Sequence, residues 1–101
     1  MPLTSKQRSQ LRGLASTEDT IIYIGKGDLN DNIIRQTADA LKARELVKGK
    51  VLENSMLSPR GAADMLAEAT KSEVVQVIGS KFVLYKRNEQ NPKIELVKTK
   101  K

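Results

Sequence analysis

Apolar positions recur with a helical period in three stretches and with a strand period in four. The first helical stretch runs from about Thr4 to Ala15, with Leu11, Leu14 and Ala15 forming a narrow stripe. Thr4-Ser5-Lys6-Gln7 opens it with the hydroxyl-to-Gln spacing of a capping box. A helix this short and polar does not stand alone and must dock on something larger. Thr20-Ile21-Ile22-Tyr23-Ile24 is β-branched and aromatic and predicts a strand. Its near-continuous apolarity predicts burial on both faces.

After Gly25-Lys26-Gly27-Asp28, a second helix is predicted from about Asn30 to Arg44. Leu29, Ile33, Thr37 and Leu41 recur every four residues, and Ile34 and Ala38 widen the stripe. Asn30 is a good N-cap, and Asp31 suits the positive end of the dipole. Leu46 to Glu53 predicts a second strand, in which Val47 and Val51 alternate with Lys48 and Lys50. Ser58-Pro59 opens a third helix whose buried stripe is Ala62, Ala63, Leu66 and Ala69 or Thr70. Val74 to Ile78 and Phe82 to Tyr85 form a hairpin over Gly79-Ser80, a pair suited to a type II′ turn.

From Arg87 onward the chain is polar apart from Ile94, Leu96 and Val97, with a short extended segment expected at 92–97. The order α-β-α-β-α-β-β predicts an α/β fold: a two-layer single domain on a small four-stranded mixed sheet. Its boundaries are drawn at 1–97, with 98–101 as a basic, disordered tail.

Composition narrows the function. The chain has 101 residues and contains no Cys, His or Trp. That excludes disulfides, thiolate nucleophiles, Ser-His triads and Cys- or His-based metal sites. No apolar run approaches the roughly 20 residues of a membrane span. The first residues lack the apolar core of a secretory signal, so a soluble, cytoplasmic protein is expected. Lys and Arg total 18 against 12 Asp and Glu, a net charge of +6. A small basic domain poor in catalytic residue types points to a polyanionic partner more than to an enzyme.

The sharpest local feature is Gly25-Lys26-Gly27-Asp28 between a strand and a helix. Glycines let backbone N–H groups approach another molecule, the following helix offers unpaired N–H groups, and Lys26 adds a charge. On these four residues alone, an ordinary strand-to-helix turn accounts for the loop more readily. Lys6, Arg8 and Arg12 on the first helix shift the balance toward a phosphate site. Lys42, Arg44, Lys48 and Lys50 form a second cluster that fits a solvated face equally well.

Other nucleic-acid modules match poorly. Tyr23, Phe82 and Tyr85 lack the pattern of an RNA-recognition motif, and core packing explains them at least as well. A Walker A loop needs Ser or Thr after Gly-Lys, which is absent. Asp28, Asp31 and Asp39 lie on or beside one helix, where capping and solvent exposure explain them better than a metal. No cofactor is expected.

Blocks of residues in order resemble the YhbY-like proteins of the CRM family. They are Leu3 to Arg8 with Leu11, Arg12 and Ala15; Ile24 to Gly27; Ala43 to Lys48; Val74 to Gly79; Val83 to Tyr85; and Asn91 to Ile94. The resemblance implies a fold similar to the C-terminal domain of a bacterial translation initiation factor. It also implies RNA binding through a Gly-x-x-Gly loop and adjoining basic residues. For stand-alone bacterial members it implies association with precursors of the large ribosomal subunit and a role in ribosome assembly. The loop departs from the family pattern at its fourth position, where Asp28 stands for Gly.

The RNA contacts expected on this basis are Gly25, Lys26, Gly27, Asp28, Lys6, Arg8, Arg12, Lys48 and Lys50, in a monomeric, non-enzymatic protein. A protein-interaction adaptor on the ribosome is the alternative. A phosphoryl-handling enzyme is disfavoured, because no base or nucleophile is evident.

Overall fold

The computed structural model describes residues 3–27 and 29–97; Asp28 and the expected tail at 98–101 lie outside them. Three helices and four strands follow in the expected order. They are α1 (Ser5–Ala15), β1 (Thr20–Ile24), α2 (Asp31–Arg44), β2 (Leu46–Val51), α3 (Pro59–Thr70), β3 (Glu73–Ile78) and β4 (Lys81–Tyr85).

Local chemistry sets the helix ends. Thr4 Oγ1 accepts from the Gln7 N–H, and the Gln7 side chain accepts from the Thr4 N–H, each at 3.1 Å. Asn30 Oδ1 accepts from the Ile33 N–H at 2.9 Å, and Ser58 Oγ from the Gly61 N–H at 3.0 Å. These bonds satisfy N–H groups that a first turn leaves unpaired. Helix α2 stops at Glu45 and α3 at Lys71, both with positive φ (68° and 58°). Gly79 at the hairpin tip has φ 58°, whereas Ser80 does not have a positive φ, as a type II′ turn requires.

The sheet order is β1-β2-β4-β3. β1 and β2, linked through α2, run parallel, and β4 pairs antiparallel with both β2 and β3. Because side chains alternate along a strand, the register defines two faces. On the first face Ile22, Ile24, Val47, Phe82 and Leu84 form the main core with Leu41 of α2 and Ala62, Ala63 and Leu66 of α3. On the opposite face Leu46, Val75, Val83 and Tyr85 pack with Leu11 and Ala15 of α1. Thus α2, α3 and the sheet make two layers, and α1 departs from that expectation by adding a partial third. An apolar stripe says that a helix docks, not on which face.

Several finer expectations are corrected. β1 is an edge strand whose burial alternates after Ile21, and Tyr23 is half exposed. Ala38 is exposed and Ala40 packs instead; of the expected Ala69 or Thr70 in α3, Thr70 is the buried one, and Ala67 joins the stripe. β2 ends at Val51, before the expected Glu53.

Gly49 of β2 faces Phe82, and a Cβ there would lie 2.3 Å from the ring. Only a residue without a side chain lets the ring cover the central strand.

The C-terminal segment carries no strand at 92–97 among the described residues, but it is tied down. Ile94 and Leu96 pack on the second cluster. The Val97 N–H donates to Gln10 Oε1 at 2.7 Å, and Gln10 Nε2 donates to the Glu95 carbonyl at 2.8 Å.

Candidate nucleic-acid interface

The Gly25-Lys26-Gly27 loop leaves the end of β1 where three connections meet. The Leu52 N–H donates to the Ile24 carbonyl, and the Val51 N–H to the Ser80 carbonyl, each at 2.8 Å. The loop, the β2–α3 connection and the β3–β4 hairpin therefore share one end of the sheet. Gly25 is backed by Asn54: a Cβ would lie 3.2 Å from Asn54 Oδ1. Neither Gly25 nor Gly27 has a positive φ, so a left-handed turn is not what these glycines supply. At Gly25 the requirement is close approach to the neighbouring loop.

Lys26 is exposed, and no described carboxylate pairs with it. Helix α2 begins beside the loop, but Asn30 caps it and Asp31 occupies its first turn. Those groups already meet part of the demand at its positive end, so the positive charge of the described loop rests on Lys26.

The remaining expected residues separate into three settings. Lys6 is exposed near the start of α1, whose neighbour Gln7 donates to the Val97 carbonyl. Six residues of helix, roughly 9 Å at 1.5 Å per residue, separate it from Arg12. The Arg8 guanidinium donates to the Val74 carbonyl on the edge strand β3, so the fold uses part of its donor set.

Arg12, near the end of α1, joins Lys48 around a cleft of about 420 Å³. Lys48 Nζ donates to the Ala15 carbonyl at 3.2 Å, which places a cation at the negative end of α1. Lys50 is partly exposed one register step nearer the loop.

Lys81 also lines the cleft, and sequence reasoning missed it. It is the register partner of Lys50. Its signal was the polar residue just before Phe82, but its neighbours depend on β4 inserting beside β2. No carboxylate among the described residues lines this cleft.

A wider groove of about 980 Å³ runs under the C-terminal segment, where Glu73, Glu89 and Glu95 offset most of the charge of Lys71, Lys86, Arg87 and Lys93. Tyr85 lines it with a buried hydroxyl that has no hydrogen-bond partner among the described residues. Burial, reinforced by the Glu45 carboxylate, pushes its pKa above the ordinary value of 10.0. Among the described residues no three His, Cys, Asp or Glu side chains group to hold a metal. No described helix is long and apolar enough to cross a membrane.

Comparison with known proteins is consistent across sequence and structure. The CRS1/YhbY (CRM) domain model matches residues 3–86. The chain is 45% identical over 94 residues to the probable RNA-binding protein YqeI of Bacillus subtilis, covering 93% of this chain and 98% of that protein. An RNA-binding protein of Haemophilus influenzae is 31% identical over 94 residues, covering 93% of this chain and 94% of that one. The solution structure of a Staphylococcus aureus protein, described as a candidate RNA-binding protein, superposes with a TM-score of 0.79 at 48% identity. It covers 95% of this chain and 100% of its own.

Proposed function

Because the chain belongs to the CRS1/YhbY (CRM) domain family, we propose that it is a non-enzymatic RNA-binding protein acting in assembly of the large ribosomal subunit. Its partner in this reading is ribosomal RNA within a subunit precursor, and the protein works as a cytoplasmic monomer. The supporting observation is the gathering of Arg12, Lys48 and Lys81 around a cleft that no described carboxylate lines. Lys50 and the Gly25-Lys26-Gly27 loop lie at the same end of the sheet.

Lys26 and the loop N–H groups hold phosphates, and the cleft cations extend the contact. Arg8 and Lys48 act partly through the fold, by their bonds to Val74 and Ala15. The strength of such a surface comes from counterion release, so it depends steeply on salt. About five phosphate contacts give a slope of roughly −3.5 in log affinity against log salt, at about 0.7 per contact for a single strand. Measuring RNA affinity across a salt series tests this. A flat dependence would rule out the mechanism.

A further inference from the structure

One line of residues crosses all four strands on the face that α1 only partly covers. Tyr23 of β1 is the register partner of Lys50 of β2, Lys50 of Lys81 of β4, and Lys81 of Ile78 of β3. With strands about 4.8 Å apart, the line is roughly 14 Å long. Leu11 and Ala15 of α1 pack over the other end of this face, against Leu46, Val83 and Tyr85.

The line is costly for a structure with no use for it. Lys50 and Lys81 stand opposite each other on paired strands, where like charges repel. They are flanked by Tyr23, 50% exposed, and Ile78, 61% exposed. The other two aromatic side chains, Phe82 and Tyr85, are buried. The Tyr23 hydroxyl donates to the Thr20 carbonyl of its own strand at 3.2 Å, which holds the ring along the sheet.

We propose that this line is a platform for single-stranded RNA, on which an unpaired base stacks against Tyr23 while Lys50 and Lys81 take the adjacent phosphates. The proposal rests on the RNA-binding reading above and adds the kind of RNA and the residue that reads it. Two observations choose this occupant. Two cations without a described carboxylate partner complement a phosphate backbone. An exposed aromatic ring beside them complements the face of a base, which a duplex keeps stacked on its neighbours. Ile78 supplies an apolar stop at the far edge. Tyr23 precedes Gly25 by two residues, so a strand held at the loop continues directly onto the platform.

The test compares a single-stranded oligoadenylate with an RNA duplex of equal length, at one salt concentration. Tyr23→Ser is expected to weaken single-strand binding roughly tenfold, Tyr23→Phe to retain it, and neither to change duplex binding. Lys50→Gln with Lys81→Gln gives a second loss that does not depend on the Tyr23 variants folding. The chain has two Tyr and no Trp, so in a Tyr85→Phe background tyrosine emission reports Tyr23 alone. The oligoadenylate should quench it. Parent-like affinity of Tyr23→Ser, with Lys26→Glu still weakening binding, overturns the platform and leaves the RNA-binding reading standing. Equal dependence of duplex binding on Tyr23 also overturns it. A parent protein that binds neither RNA overturns both.

Discussion

Replacing Glu45 with Gln tests the account of the C-terminal segment. Glu45 is fully buried, and no cation pairs with it among the described residues. Its Oε1 accepts from the N–H groups of Lys93 at 2.8 Å and Ile94 at 2.7 Å, and its Oε2 from that of Asn88 at 2.6 Å. It also holds φ at 68°, a conformation that costs a non-glycine residue about 1–3 kcal/mol unless its surroundings enforce it. The carboxylate therefore ties the segment to the end of α2. In Glu45→Gln the remaining carbonyl oxygen still serves Lys93 and Ile94, as a weaker neutral acceptor. The new NH₂ faces the Asn88 N–H, two donors in opposition.

Hydrogen bonds to charged groups contribute about 1.5–3 kcal/mol, and a buried unpaired donor costs about 1–3 kcal/mol. Relief from burying a charge offsets part of this. A net loss of about 2–3 kcal/mol follows, and at about 4–8 °C per kcal/mol the melting temperature falls by roughly 10–20 °C. Far-UV circular dichroism reads the melt, and hydrogen exchange reads the Asn88, Lys93 and Ile94 amides. RNA affinity should hold at a temperature where both proteins are folded, because Glu45 adjoins Leu46, at the opposite end of β2 from the loop. A fall under about 3 °C with parent-like exchange at those amides would mean that the Glu45 carboxylate does not hold the segment.

Gly49→Ala should cost about 1–3 kcal/mol by thermal melt, because the new methyl meets the buried Phe82 ring, and shrinking that ring in Phe82→Leu should recover part of it. Tyr85→Phe should be neutral or stabilising by up to about 1 kcal/mol near neutral pH, since it removes a buried hydroxyl without a partner. Because the folded-state pKa of Tyr85 is raised, its contribution is present below pH 10 and lost as pH climbs through the folded value. The Phe variant should therefore lose less stability on the alkaline side, read as a difference between two pH–stability curves. Arg12→Gln should weaken RNA binding with little change in melting temperature. Arg8→Gln should lower stability by about 1 kcal/mol, through its lost bond to the Val74 carbonyl.

The parts of the fold legible in the sequence are those set by nearest neighbours. Thr4 with Gln7, Asn30 and Ser58-Pro59 start helices through bonds that span three residues, so their spacing alone announces them. Strand existence followed from β-branched runs. What stayed hidden depends on long-range register. The face chosen by α1, the insertion of β4 between β2 and β3, and hence the Lys50–Lys81 pairing have no local signature. Tyr23 read as core because an apolar run conceals which member faces outward on an edge strand. Glu45, between the predicted second helix and second strand, carried no local signal, although its carboxylate binds amides more than forty positions away. The loop was visible from Gly25-Lys26-Gly27, but its backing by Asn54 was not.

RNA held at the loop end of the sheet would perturb the amides of that end first. Amide chemical-shift mapping of the labelled protein, titrated with a single-stranded oligoadenylate, tests it most directly. The largest shifts are expected on Tyr23, Gly25, Lys26, Gly27, Lys50 and Lys81, with Arg12 following and the amides of Lys93 and Ile94 unmoved. Shifts confined to the C-terminal segment and the start of α1, with the loop silent, would contradict it.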